Sequence, residues 1–401
     1  MSKEQVVDEK TIMEEDQQYL ASIYSRFPVV LEKGKGTMVW DTKGRQYLDF
    51  TAGIGVNCLG FCDEPWGEAV FQQLMILQHC SNLYYTEPAV KLAKTLVQKT
   101  GMRKAFFCNS GAEANECAIK IARKYGNGKG KGSEIITLMD SFHGRTLATI
   151  TATGQEHYHQ YFHPFVSGFR YVEPNMDDMG KALGDGNDVC AVLVEIIQGE
   201  GGVRVLNAAF LQEVEKLCKA RGVLFMVDEV QTGTGRTGSL FAYQQLGLKP
   251  DIITFAKGMG GGLPLGGVLM DESTEKILAP GDHGTTFGAN PAICAGALAI
   301  LERLTPEFLE EVKRKGKILE EGLRSIPGVY DVDGMGLMWG FCVKDQTAKQ
   351  VVETALPLGL LLLTAKDKVR MLPPLTISDT EVEKGLEILQ KAIGGKTKLV
   401  V

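Results

Sequence analysis

Lys257 closes an apolar run, Asp251-Ile252-Ile253-Thr254-Phe255-Ala256-Lys257-Gly258, and has Met259 and three glycines behind it. A lysine amine set among apolar walls loses its proton more readily, so it can act as a nucleophile and then as a proton shuttle. The glycines allow backbone and ligand to approach closely. A second run, Val223-Leu224-Phe225-Met226-Val227-Asp228-Glu229-Val230-Gln231, ends in a carboxylate. The carboxyl ends of parallel strands face the ligand crevice in open α/β sheets. A carboxylate there can keep a heterocyclic nitrogen protonated, as a pyridine cofactor acting as electron sink requires. Capping of the next turn would use the same Asp228 equally well.

Two further segments add recognition groups. Phe106-Phe107-Cys108-Asn109-Ser110-Gly111-Ala112-Glu113 reads as a strand, a tight turn and the start of a helix, with Ser110 and Glu113 at capping-box spacing. Gly111 and Ala112 would be the first helical residues, with free N–H groups and little side chain in the way, which suits a dianionic phosphate. An ordinary well-capped helix would give the same pattern. Ser141-Phe142-His143-Gly144-Arg145-Thr146 offers an aromatic face at Phe142 and a guanidinium fork for a carboxylate at Arg145. Core packing is the plainer use of Phe142.

Two other patterns lead elsewhere. Gly233-Thr234-Gly235-Arg236-Thr237-Gly238 matches a dinucleotide fingerprint in letters, but it follows its strand at a distance and no amphipathic helix opens after it. His157, His159 and His163 cluster without a cysteine or acidic partner at ligand spacing, so a polar loop is expected and no metal site.

The elements that must position these groups follow from periodicity. Short apolar runs at residues 105–108, 134–139, 191–196, 223–227 and 252–255 alternate with helix-period stretches, the mark of an α/β domain with a mostly parallel sheet covered on both faces. Helices are expected at 87–100, with Thr86 as N-cap and Gly101 as stop, and at 208–220, with Gly222 after its end. Beyond Pro291 the pattern changes to long helices (292–304 and 306–326), short strands near 330–332 and 338–343, and an amphipathic helix over 379–393. This reads as a smaller α+β domain, joined by an N-terminal hairpin of residues 39–41 and 46–49. The expected division is residues 1–50, joining the small domain, then 51–295 for the large domain and 296–401 for the small one.

Bulk properties limit the function classes. A formal charge of −6 without like-charge blocks speaks against nucleic acid or an anionic membrane as partner. The polar, acidic segment Met1 to Gln18 is not expected to be a secretory leader, and no apolar run is long enough to span a bilayer. Nine scattered cysteines with no CxxC pair fit buried thiols in a reducing cytoplasm.

In this order the motifs resemble the class III aminotransferases of pyridoxal-phosphate (PLP) fold type I. The match rests on Phe107-Cys108-Asn109-Ser110-Gly111-Ala112-Glu113-Ala114-Asn115-Glu116, the Ser141 to Thr146 segment, Asp228-Glu229-Val230-Gln231-Thr232-Gly233 and Phe255-Ala256-Lys257-Gly258. Segments such as Asn82-Leu83-Tyr84-Tyr85-Thr86-Glu87-Pro88 and Gln198-Gly199-Glu200-Gly201-Gly202 are similar to the branch of the family that converts acetylornithine. The resemblance implies the fold type I transferase fold and PLP held by Lys257 as a Schiff base. It places Ser110, Gly111 and Ala112 at the phosphate, Phe142 and Val230 on the ring faces, Asp228 at the pyridine nitrogen and Gln231 at the ring hydroxyl. Thr286 would reach the phosphate of a neighbouring subunit, which implies a homodimer. Arg145 and Arg370 would read carboxylates, with Glu195 and Thr285 also in the substrate site and Glu200 as a movable partner of Arg370. The implied reaction moves the ω-amino group of N2-acetylornithine to 2-oxoglutarate, in arginine biosynthesis. Ornithine, succinylornithine, 4-aminobutyrate or a lysine derivative as donor, or aminomutase or racemase chemistry, remain as alternatives. Three positions depart from the family pattern: Cys-Asp-Glu-Pro-Trp at 62–66, Ile196 in place of a proline, and Ala289 where a second glycine is common.

Overall fold

A computed structural model describes residues 8–184 and 188–395 of the chain. Its centre is a seven-stranded sheet of β1 (Lys104–Cys108), β2 (Glu134–Leu138), β3 (Phe169–Val172), β4 (Val189–Glu195), β5 (Leu224–Asp228), β6 (Ile252–Phe255) and β7 (Gly266–Met270), in the order β1-β7-β6-β5-β4-β2-β3. Strands β3, β2, β4, β5 and β6 pair in parallel, and β7 is antiparallel to both of its neighbours. The fold is the α/β arrangement with a mostly parallel sheet that the apolar runs suggested.

Continuous apolarity has a direct cause here. Along β5, Leu224 and Met226 pack with Ala114, Cys117 and Ile121 of the helix Gly111–Gly128 on one face. The alternate residues Phe225 and Val227 enter a second, larger core on the other face. With both faces covered, every position is apolar and no alternation survives.

Element ends agree with the expectations to within a residue or two, apart from a first C-terminal strand that is longer, Val329–Met335. Thr86 precedes the helix Glu87–Thr100, but its side chain makes no capping bond; Gly101 ends that helix at φ 75°, and Gly222 ends Ala208–Arg221 at φ 61°. Strands β3 and β7 were not anticipated. The former is a four-residue edge strand with Arg170 exposed. The latter opens with two glycines, whose β propensity is poor. Those glycines are needed for proximity: a Cβ on Gly266 would collide with the Ser110 carbonyl, and one on Gly267 with the Phe255 ring.

The hairpin Met38–Asp41 and Gln46–Asp49 forms as expected and adds Leu31–Lys35 on one side. On its other side Gln46–Asp49 pairs in parallel with Leu360–Leu361, so N-terminal and C-terminal segments share one sheet. A further sheet orders Val329–Met335, Met338–Val343, Lys368–Met371 and Leu363–Ala365. The Gly233 to Gly238 segment is a run of turns with no following α-helix, and buried Arg236 donates to the carbonyls of Leu337 (3.0 Å) and Pro373. Of the histidine cluster, His159 Nε2 meets the Ile150 carbonyl at 3.0 Å, and His157 and His163 pack against Tyr158 and Phe165. All nine cysteines are free thiols.

The helix Pro306–Ser325 buries Val312, Gly316, Leu319 and Leu323 along one stripe. At Gly316 a Cβ would run into the backbone of Gly336, itself at φ 58°. Alanine would add about 1 kcal/mol of helix propensity, but overpacking costs about 1–3 kcal/mol. Gly316→Ala is therefore expected to lower the midpoint of thermal unfolding; an unchanged or raised midpoint would show that the hairpin yields.

Candidate active site

At the carboxyl ends of β4, β5 and β6 a cavity of about 460 Å³ opens toward the N-terminus of the helix Gly111–Gly128. Ser110, Gly111, Ala112, Phe142, Arg145, Glu195, Asp228, Val230, Gln231 and Lys257 all line it. Four other expected residues do not. Arg370 and Glu200 lie behind Gln231, Thr285 accepts from Asn109 Nδ2 at 3.0 Å, and Thr286 is exposed.

The helix start is built as a donor site. Ser110 Oγ accepts from the Glu113 N–H at 3.2 Å. The return bond of a capping box goes one residue further back, to the N–H of Asn109 at 3.0 Å, because Glu113 also accepts from Ser110 Oγ and Asn109 Nδ2. The N–H groups of Gly111 and Ala112 meet no acceptor among the described residues. Val230 comes so near that a Cβ on Gly111 would lie 2.7 Å from its Cγ1, so glycine is needed at that position. Behind this start, Gly144 adopts φ 139°, and a Cβ there would meet Thr149 and Ala112.

Asp228 is held by three donors. Its Oδ1 accepts from the Val230 N–H at 3.0 Å, and Oδ2 accepts from Asn115 Nδ2 at 2.7 Å and faces His143 Nδ1 at 2.8 Å. Asn115 is fixed in turn by the His143 carbonyl (2.8 Å) and by the Thr254 hydroxyl on β6 (2.8 Å). Sequence reasoning passed over Asn115 and His143 as site residues. The available signal was position: Asn115 lies one helical turn after Gly111, and His143 adjoins Phe142.

Glu195 stands opposite Asp228 on the neighbouring strand. Burial, followed by the charge of Asp228, pushes its carboxyl well above the ordinary range, although the N–H groups of Phe142 (2.9 Å) and Gly199 (3.4 Å) bond to it. Arg370 Nη1 binds Glu200 Oε1 at 2.6 Å and Gln231 Oε1 at 3.1 Å. Burial would raise Glu200, but Arg370 outweighs it and holds the carboxyl below its usual value.

Lys257 heads the short 3-10 turn Lys257–Gly260 with φ 41°, a left-handed conformation that a residue with a side chain adopts only where its surroundings impose it. Removal from water lowers the pKa of its amine, and the attraction of Glu200, Asp228 and Glu195 only partly offsets this. Such a lysine binds fewer protons folded than unfolded. Its cost to stability is full below the folded pKa and vanishes as pH rises to the ordinary lysine value of 10.5. In the ligand-free protein, Lys257→Met is expected to raise the thermal midpoint at neutral pH, with the gain fading toward pH 10.5. A lowered midpoint would show that the carboxylates stabilise the ammonium outright.

The family model Aminotransferase class-III matches residues 19–393. An acetylornithine aminotransferase of Haemophilus ducreyi is 51% identical over 381 residues, covering 94% of this chain and 97% of that protein. Among solved structures, N-acetylornithine aminotransferase from Stenotrophomonas maltophilia superposes with a TM-score of 0.82 at 36% identity, over 95% of this chain and 98% of that one. Ornithine aminotransferase from Toxoplasma gondii, with partial occupancy of PLP at its active site, gives 0.93 at 30% identity, over 97% and 95%. With a match that runs nearly the length of the chain, on a mostly parallel sheet whose strand ends gather a desolvated lysine and a triply bonded aspartate, this protein belongs to the class III aminotransferases.

Proposed function

We propose that the protein uses pyridoxal 5′-phosphate to move the ω-amino group of N2-acetylornithine to 2-oxoglutarate, giving N-acetylglutamate semialdehyde and glutamate. One observation carries the reading: Lys257, Asp228 and the unfilled N–H groups of Gly111 and Ala112 all face one cavity. The donor set suits the cofactor. Two free amides at a helix N-terminus match a phosphate, and a carboxylate held by three donors matches a pyridinium. Bound there, PLP would supply a protonated aromatic ring that draws electrons from the substrate carbon bearing the amine.

The protein's own groups then have separate tasks. Asp228, fixed by Asn115, His143 and Val230, keeps the ring nitrogen protonated. Ser110, Gly111 and Ala112 would take the phosphate, Phe142 and Val230 would serve the ring faces, and Gln231 would serve its hydroxyl. Lys257 carries the cofactor and afterwards moves a proton at the reacting carbon; its lowered pKa favours the neutral amine that this needs. Arg145 would take the carboxylate at the far end of the substrate, and Glu195 and Thr285 are kept as further substrate contacts on the resemblance alone. Arg370 stays with Glu200 while the acetylated donor reacts, since that donor has no carboxylate beside its ω-amine. 2-Oxoglutarate then competes with Glu200 for the guanidinium, so the arginine is never left buried and unpaired.

The same reading includes a homodimer in which Thr286 serves the partner's phosphate. Leu83, Tyr84, Tyr85 and Phe287 are exposed near it, and Asn82 ties the two segments by bonding the carbonyls of Thr285 (3.2 Å) and Gly288 (2.9 Å). Apolar surface of that kind suits a second copy. The reading also takes residues 51–295 as the cofactor domain and 296–401, with 1–50, as the small domain. It sets the enzyme in the cytoplasm and in arginine biosynthesis; no helix among the described residues is long and apolar enough to cross a membrane.

Protein given PLP is expected to show a visible absorption band that borohydride abolishes, leaving the cofactor fixed covalently on Lys257, as found by peptide mass mapping. No band, or label on another lysine, would overturn the cofactor assignment. In a panel of ω-amines with 2-oxoglutarate, N2-acetylornithine should give the highest kcat/KM; a faster turnover of ornithine would move the protein to the other branch represented among its structural relatives. Arg370→Gln is expected to raise the KM for 2-oxoglutarate by about 30-fold or more, the usual loss for one partner of a buried ion pair.

A further inference from the structure

The two arginines of the site are held in opposite ways. Arg370 is buried against a carboxylate, whereas no carboxylate lies within ion-pair distance of Arg145 among the described residues. Aromatic faces hold Arg145 instead. Its guanidinium carbon lies 4.8 Å from the centre of the Tyr158 ring and 5.6 Å from that of Phe142, and the two rings stand 5.3 Å apart at 59°. Tyr158 is fixed in place. It ends the 3-10 turn Glu156–Tyr158, and the preceding Gln155 is buried with its Nε2 bonded to the carbonyls of Ser141 (3.0 Å) and Asp140 (3.3 Å). Burial, followed by Glu200, raises the pKa of the phenol against the opposing charges of Arg145 and Arg370. The side chain therefore meets Arg145 as a neutral ring whose hydroxyl also takes a hydrogen bond from the guanidinium.

We propose that Tyr158 is a positioning residue for Arg145: with Phe142 it holds the guanidinium ready for the carboxylate at the substrate's far end, and so sets the preference for amines that carry one. This rests on the transamination reading above. In both half-reactions a carboxylate lies at the far end from the reacting carbon, on the acetylated donor and on 2-oxoglutarate. Arg145 must therefore stay open throughout, which an acidic partner would prevent. Ring faces restrain a cation without occupying its N–H donors, and the neutral Tyr158 hydroxyl takes up only part of the guanidinium fork.

The test compares N2-acetylornithine with N-acetyl-1,4-diaminobutane, the same donor without its carboxylate, in the wild type and in Tyr158→Phe, Tyr158→Leu and Tyr158→Met. In the leucine and methionine variants the ratio of the two kcat/KM values should fall about 2- to 30-fold, the range of a cation–π contact. KM for the carboxylated donor should take most of the change, and Tyr158→Phe, which keeps the ring and loses only the hydroxyl that Arg145 meets, should stay closer to the wild-type ratio than either. Calorimetric binding of glutarate to the ligand-free protein should weaken in the same order. Leucine and methionine variants that fold, by thermal midpoint, and keep the wild-type ratio and glutarate affinity would overturn the proposal. A wild type indifferent to the carboxylate would instead sink the substrate reading, and this inference with it, while leaving the borohydride result on Lys257 intact.

Discussion

Two carboxylates sit opposite each other on adjacent parallel strands, Glu195 on β4 and Asp228 on β5, both buried in the lining of one cavity. Like charges so close in a medium of low polarity cannot both be left to themselves. The site resolves this by unequal treatment. Asp228 receives three donors from the backbone, an amide and an imidazole, while Glu195 has two backbone amides and is pushed toward its neutral form. Much of the surrounding structure follows from giving the two acids unequal sets of donors. Asn115 must face inward from its helix, Thr254 must hold Asn115, and the Phe142 to Gly144 backbone must pass close enough to offer an N–H and a carbonyl. The lysine in the same cavity completes the set, its pKa lowered by removal from water.

What could be read in the sequence was what repeats or is locally forced. Strand β6 was legible to the residue because residues 252–255 are apolar on both faces and bounded by Asp251 and a glycine-rich stretch. The residues that line the cavity were legible because they sit at strand ends or helix starts, where one residue type does one job. Strand β7 was not, since its glycines serve contact with Ser110 and Phe255 across the sheet and carry no strand signal. Asn115, His143 and Tyr158 were passed over for a similar reason. Each acts through a neighbour distant in sequence, and nothing local marks an asparagine inside a helix or a tyrosine between histidines. Ala289 was read as a departure from a family glycine; the backbone there has φ 61°, which explains the family's glycine and shows that this chain accepts the strain.

The two arginines illustrate how one cleft can be both selective and permissive. A guanidinium bound to a carboxylate is available only to a ligand that displaces the carboxylate; one resting on aromatic rings is available at once. Placing the first near Gln231 and the second beside Phe142 gives one arginine a carboxylate partner and leaves the other on aromatic rings, as the proposed reading requires of a conditional and a constant recognition group.

The parallel pairing of Leu48 with Leu360 joins positions about 300 residues apart, and Arg370 lies on a strand formed only from that later part of the chain. On the ribosome, therefore, the sheet that carries Asp228 and Lys257 is complete while the sequence for Arg370 is still to be translated. Contacts that close so long a loop form late and slowly. The ion pair of Glu200 with Arg370 therefore waits for the last part of the chain, and the carboxylate-bound arginine is among the last groups of the site to be put in place.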